Sequence, residues 1–237
     1  MLDKDVVVRD EYFKGEKGYT DEDIWRQIII INSLQKIMMG YYTDGSIRIN
    51  SIIGKHIENV RVDIKRLKRD LEKRVEKKDL NDMDNFLLEN GEKIISQGEL
   101  ALNRLKEIDY IGIIRRSMKK NEISLGRVDE SNIRVIEGLE VGTLKNVSYN
   151  LAEEDIYQYL KKVRRRKLDI NIESYVDKYV RLANLNEDSR EYINILLLIP
   201  YDSIKQWHKY RYNKRGLLPE EYLKGIRNSI RYESNIL

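Results

Sequence analysis

The chain has 237 residues, 44 of them Lys or Arg and 40 Asp or Glu, for a formal net charge of +4. Charged residues make up 35% and hydrophobic residues 41%; this excludes a disordered chain and suits one domain with a sizeable core. No cysteine occurs, which excludes disulfides, thiolate nucleophiles and Cys-ligated metals, and the near balance of charge speaks against a dedicated nucleic-acid binder. His56 and His208 lie far apart in sequence, so no metal site built on histidine is expected. The start, Met1-Leu2-Asp3-Lys4-Asp5, has no apolar segment of signal-peptide length, and apolar runs such as 28–31 and 195–199 are too short to span a bilayer. A soluble intracellular protein is the expectation.

Only two prolines occur. Pro200 and Pro219 both suit helix boundaries. The first helix is predicted to start at Thr20, which forms a capping-box pair with Asp23. Ile24, Ile28, Ile31, Leu34, Ile37 and Met38 line one face, and Gly40 with the Asp44-Gly45 pair ends the helix. A second helix runs from about Ser51 into the 70s. Ile53, Ile57, Val60, Ile64, Leu67 and Leu71 follow a heptad spacing, while Lys65, Arg66, Lys68, Arg69, Lys73 and Arg74 cover its other face. A third helix begins near Asp82, with Met83, Phe86, Leu87, Ile94, Ala101, Leu102 and Leu105 at helical spacing. The short link between the second and third predicts an antiparallel helical hairpin. The alternative use of the heptad seam is a homodimer.

Residues 109 to 119 read as a helix with Ile111, Ile114 and Met118 facing inward. Residues 124 to 144 then read as a loop, a strand, a Glu-Gly turn at Glu137-Gly138 and a second strand. A helix through Glu153, Glu154 and Asp155 has an acidic start and a basic end at 161–167, which complements the helix dipole. Further helices are expected from about Ile172, Asp188 and Asp202, and Pro219 opens the last.

The loop Leu125-Gly126-Arg127-Val128-Asp129-Glu130-Ser131-Asn132, followed by two strands, is similar to the site of kinase-like enzymes of the aminoglycoside-phosphotransferase kind. Those enzymes carry His-Gly-Asp-x-x-x-x-Asn in the loop and a metal-binding Asp on the next strand. In this chain Leu125 stands at the His position, Gly126 at the Gly, Arg127 at the catalytic Asp and Asn132 at the Asn. The metal Asp position falls at about Thr143. The whole series from about Gly18 to Tyr232 resembles the helical lobe of the CotS-type spore coat proteins. The resemblance is carried by Asp84-Asn85-Phe86-Leu87, Ala101-Leu102 to Asp109-Tyr110, Leu125-Gly126 to Asn132, and Tyr149-Asn150-Leu151 to Asp155-Ile156-Tyr157. Ile195 to Pro200, with Trp207 and Tyr210, completes it.

That resemblance implies a mainly α, protein-kinase-like C-terminal lobe of the aminoglycoside-phosphotransferase type, with a helical hairpin and one small β-ribbon. A small lobe needs roughly 80 residues of strands with a phosphate-covering loop and a lysine strand, and only residues 1–19 precede the first helix. The small lobe is therefore expected to be absent. Residues 1–19 read as an N-terminal extension or strand remnant at Val6-Val7-Val8, and residues 20–237 as the lobe. Gly15 and Gly18 have no strand-loop-strand context.

Phosphoryl transfer needs a carboxylate to orient the acceptor, worth about 10²–10⁴-fold as a general base, and another to hold Mg²⁺. Arg127 cannot accept a proton, and neither Thr143 nor Lys145 offers an anionic oxygen. Asp129, Glu130 and Glu140 read as solvated loop and strand carboxylates; the competing view gives one of them the catalytic role. Asn132 reads as a loop-structuring residue, and Asp155 as a cap or a tie to the loop. The expectation is therefore a chain that is not an enzyme and holds no cofactor or metal. The basic runs at 65–74, 115–120 and 161–167 read as solvated helix faces. Tyr201, Trp207, Tyr210 and Tyr212 are interleaved with Lys205, Lys209, Arg211, Lys214 and Arg215, and suggest an interaction surface or a core anchor with a basic rim. The resemblance implies other spore coat proteins as partners and the mother-cell cytoplasm or the coat as the location, without a membrane and without nucleic acid. A pseudokinase holding a nucleotide or small ligand and a helical nucleic-acid binder are the competing functions.

Overall fold

Thr20 opens the first helix as the spacing predicts. In the computed structural model its hydroxyl accepts the Asp23 N–H at 3.1 Å, and the Asp23 carboxylate takes the Thr20 N–H at 3.2 Å. The structure describes residues 6–14, 19–42, 48–166, 169–213 and 216–233. Met1-Leu2-Asp3-Lys4-Asp5, Gly15, Gly18, the Asp44-Gly45 pair, Lys167, Lys214 and Arg215 lie outside the described residues.

In chain order the elements begin β1 (Val6–Val8), α1 (Asp21–Met38), α2 (Lys55–Val75), α3 (Asp82–Arg104) and α4 (Tyr110–Lys120). The strands β2 (Ile123–Ser124), β3 (Ile133–Val135), β4 (Leu139–Val141) and β5 (Ser148–Tyr149) follow. The remaining helices are α5 (Ala152–Arg166), α6 (Ile172–Ala183), α7 (Glu187–Leu198), α8 (Tyr201–Arg211) and α9 (Pro219–Glu233). The chain divides into two compact units. The first comprises Met1–Gly54 and Ile108–Asn194, the second Lys55–Glu107 and Ile195–Leu237.

In the first unit α1 packs on α5 and α6. Ile24, Ile28, Ile31 and Leu34 are buried, as are Ile156 and Leu160 of α5 and Val176 of α6. Ile37, expected on the same face of α1, is exposed. Buried amides tie the helices together: Gln35 Nε2 donates to the Ala152 carbonyl at 2.8 Å, and the Tyr179 hydroxyl donates to Gln35 Oε1 at 2.9 Å. The expected single β-ribbon is larger than predicted. β3 and β4 pair antiparallel, and β1 adds to β4 in parallel with Val7 opposite Glu140. β2 and β5 form a separate antiparallel pair. Residues before α2 join the second pair instead of starting the helix: the Ile52 N–H donates to the Tyr149 carbonyl at 3.0 Å, so α2 begins at Lys55 and not at Ser51.

The predicted inward face of α4 is rotated. Ile113 and Ser117 are buried, whereas Ile111 and Met118 are exposed. Arg116 sets this rotation. Its guanidinium lies between Glu122, at 2.9 and 3.0 Å, and Glu153, at 2.8 Å to each oxygen, and also donates to Ser189 Oγ at 2.8 Å. Its charge is held by two nearly fully buried carboxylates, a bidentate geometry that fixes direction as well as energy.

The second unit contains the predicted hairpin. Ile57, Val60, Ile64 and Leu67 of α2 are buried, and α3 runs antiparallel to it. A Cβ on Gly91 would lie 2.5 Å from Leu71 Cδ1, and one on Gly98 would lie 2.5 Å from Ile64 Cδ1. Those two contacts are seven residues apart on each helix, in opposite directions. The seam is therefore intramolecular, and its closeness depends on two residues without side chains. Helices α8 and α9 pack on each other, α8 also on α2 and α9 also on α3.

Candidate functional site

The loop between β2 and β3 is built from the residues that the sequence pattern singles out. Gly126 has φ +71°, and a Cβ there would lie 3.0 Å from Asn146 Cβ; glycine meets both demands. The Leu125 and Gly126 N–H groups donate to the two oxygens of Asp155 at 3.0 and 2.9 Å, and Ser124 Oγ donates to Asp155 at 2.6 Å. Asp155 is fully buried at the start of α5. Burial pushes its carboxyl up to about 6 despite these hydrogen bonds, with the neighbouring Glu154 charge acting in the same direction. From α1, Gln27 Nε2 donates to the Val128 carbonyl at 2.8 Å.

Asn132 joins three of the predicted positions. Its Nδ2 donates to the Arg127 carbonyl at 2.8 Å and to the Thr143 carbonyl at 3.1 Å, and its Oδ1 accepts the Thr143 N–H at 2.8 Å. The backbone closes the same link, with the Gly142 N–H donating to the Asn132 carbonyl at 2.7 Å. A Cβ on Gly142 would fall 2.6 Å from the Glu11 carbonyl and 2.9 Å from Asn132 Oδ1. The side chain of Asn132 thus works on the backbone of the loop and ribbon, as expected from its type. Thr143 is buried, and its hydroxyl accepts the Lys145 N–H at 3.3 Å.

Arg127 turns its side chain along the loop. Its Nη2 donates to Ser131 Oγ at 2.8 Å, Nε lies 3.5 Å from Asp129 Oδ2, and the guanidinium stacks 3.9 Å from the centre of the Tyr12 ring. The loop carboxylates are not solvated, contrary to expectation. Asp129 is buried and pairs with Lys162 Nζ at 2.7 Å while accepting from the Ser131 N–H at 3.0 Å. Burial opposes its ionisation, but the bonds from Lys162 and Ser131 outweigh it and hold the group well below the usual carboxylate range. Glu140, also buried, lies between Arg9 and Arg134, whose hydrogen bonds lower its pKa. Glu130 accepts from the Tyr159 hydroxyl at 3.2 Å. No group of three or more His, Asp or Glu among the described residues is arranged to hold a metal ion.

The aromatic positions lie in the second unit. Trp207 is fully buried and donates Nε1 to Asp70 at 2.8 Å. The Tyr210 hydroxyl donates to Asp84 Oδ1 at 2.7 Å. Tyr201 is half-buried, with its ring edge-on to His56 at 5.6 Å. Tyr212 is half exposed and stacks on His208 at 5.7 Å.

Sequence reasoning missed the Arg127–Tyr12 stack and the Lys162–Asp129 pair. Both join residues far apart in the chain, and no local pattern marks them. Asp155 reads from the sequence as a helix cap or a tie to the loop, and it makes the tie, through Ser124, Leu125 and Gly126.

No protein-family model and no curated protein sequence matches the chain. Among solved structures, the aminoglycoside phosphotransferase from Alicyclobacillus acidocaldarius subsp. acidocaldarius DSM 446 matches with a TM-score of 0.76. The match covers 93% of this chain and 65% of that one, at 12% sequence identity. The chain is kinase-like in fold. The expected mainly helical, aminoglycoside-phosphotransferase-type architecture is therefore present over nearly the whole sequence.

One expectation is overturned. The residue pattern predicts a chain that is not an enzyme, but the fold it shares is that of a solved phosphotransferase, which is one. The physical reason is that the pattern rests on two side-chain positions, Arg127 and Thr143, and on an expected lack of a small lobe. The loop and ribbon that carry them keep their shape through Asn132 and Asp155. Among the described residues no helix is long and apolar enough to cross a membrane.

Proposed function

We propose that this chain is a kinase-like protein of the bacterial spore coat that works by binding other coat proteins, and that it corresponds to the large lobe alone. The ordered resemblance to the CotS-type proteins supports the coat assignment, and the kinase-like fold agrees with what that resemblance implies. The observation that carries the contact role is the bracing of the loop. Asn132 holds it to the ribbon, Asp155 holds its start, and Arg127 lies along it against Tyr12. A loop fixed from three sides presents a constant surface, which lowers the entropy cost of docking. A fluorescent fusion of the full chain in a sporulating bacterium tests the reading. Recruitment to the forespore surface supports it, and an even distribution through the mother-cell cytoplasm throughout sporulation rejects it.

A second reading follows from Arg127, whose side chain is 39% exposed: an anionic ligand such as a nucleotide held at the loop. A rise in Tm that grows with ATP concentration in the presence of Mg²⁺, and is lost in Arg127→Ala, favours it.

A further inference from the structure

Helix α2 carries more positive charge outward than its sequence suggests. Two of its acids are turned inward: Asp63 Oδ1 lies 2.9 Å from His208 Nε2, and Asp70 accepts from Trp207 Nε1 at 2.8 Å and pairs with Arg74 at 2.8 Å. Arg61, Lys65, Lys68, Arg69 and Lys73 remain exposed, and among the described residues none of them is held in an ion pair. Arg66 reaches only to 3.9 Å from Asp63.

The geometry of this band limits what it fits. Arg61, Lys65, Lys68 and Glu72 are spaced so that they fall on one line down the helix. Val62, 43% exposed, sits beside that line with Lys65, Arg66 and Arg69 one and two turns on. An apolar spot is thus collared by the stems of three cations. Exposed acids close the line at both ends, Glu58 before Arg61 and Glu72 after Lys68. From Arg61 to Lys68 the rise is about 10 Å, or roughly two turns. A nucleic-acid backbone would run on from the cations into Glu58 and Glu72, where its phosphates are repelled. A short acidic segment ends where the cations end.

We infer that this face of α2 docks an acidic segment of a partner protein, about two helical turns long, which sets an apolar side chain against Val62. The inference rests on the reading of the chain as a protein that binds other proteins, and it names the chemistry of one such contact. Charge of this kind steers encounter and weakens with salt.

The test is fluorescence anisotropy on the purified full chain. Three probes are used: a labelled amphipathic peptide with Glu on its polar face and Leu on the other, the same peptide with Lys in place of Glu, and a single-stranded oligodeoxynucleotide of matched charge. The Glu peptide is expected to bind, the Lys peptide not, and Lys65→Glu/Lys68→Glu to weaken binding by about tenfold or more at unchanged Tm. If that double variant loses its helical signal, Lys65→Gln/Lys68→Gln carries the test, with a smaller loss in the same direction. Failure of the Glu peptide to bind at low salt, equal binding to the charge-altered chain, or tighter binding of the oligonucleotide overturns the inference; the last result assigns the face to nucleic acid. The assay reads this face whether or not the fusion reaches the forespore, so failure of the coat assignment and failure of this contact are separable.

Discussion

Glu233, in the last turn of α9, caps the first turn of α8 through Ser203. Its carboxylate accepts the Ser203 N–H at 3.1 Å, the Asp202 N–H at 2.6 Å and the Ser203 hydroxyl. The position that would ordinarily supply this cap is Pro200, which makes no side-chain cap hydrogen bond. A carboxylate from another helix thus satisfies N–H groups that the sequence around α8 leaves open.

This arrangement makes stability depend on pH. Burial pushes the Glu233 carboxyl up to about 7, against its hydrogen bonds from Ser203 and Asp202, and the Asp202 charge pushes the same way. The unfolded chain gives up that proton near the ordinary glutamate value of 4.5. Between those values the folded state binds more protons, so its stability falls as pH rises through the window and levels off above about 7. Urea titrations between about pH 5 and about pH 8 are expected to show a loss on the order of 2 kcal/mol, and Glu233→Gln to flatten it. Asp155, raised to about 6, adds a loss of the same sign lower in the range. Asp155→Asn removes that part alone.

Asn132→Ala is expected to cost about 2–3 kcal/mol, because it strands the Arg127 carbonyl and both backbone groups of Thr143 inside the site. Asn132→Asp keeps the acceptor for the Thr143 N–H but turns an anionic oxygen toward two carbonyls, so it is expected to destabilise as well. A lowered urea midpoint with unchanged helical content by circular dichroism checks both.

Gly91→Val and Gly98→Val should each destabilise by about 1–3 kcal/mol, since the added branches meet Leu71 and Ile64 across the hairpin. Gly→Ala at either site is expected to cost less, because the atoms it meets are the ends of side chains that can turn. The comparison is read from Tm in the four variants.

Asp84 is fully buried and takes Arg74, Lys77 at 2.6 Å and the Tyr210 hydroxyl at 2.7 Å. Asp84→Asn leaves the Arg74 guanidinium with only Asp70, and a loss of about 3 kcal/mol is expected. Thermal unfolding measures it, and Arg74→Met in the same background should recover part of the loss.

Local spacing carried much of the fold. The Thr20–Asp23 cap, the α2 seam and the Pro219 start are all short-range patterns, and each element appears at or within a few residues of its expected place. The rotation of α4 was not legible, because Arg116 answers to Glu153, 37 residues away. Nor was the pairing of β1 with β4 legible, since it joins Val7 to Glu140. At the site the central position of Asn132 was readable from its spacing to Arg127. The role of Asp129 was not, because its partner Lys162 lies on a helix whose basic residues read as a solvated end.

The second unit is assembled from two stretches that the chain makes at different times. Helices α2 and α3 leave the ribosome before Ile108–Asn194, and α8 and α9 come after it. During synthesis the hairpin therefore waits with the side that later receives α8 and α9 uncovered, and with Asp70 still lacking the indole of Trp207. A nascent chain stalled near Asn194 would expose that apolar side to chaperones and proteases, so this stretch of translation is when the protein is most open to loss.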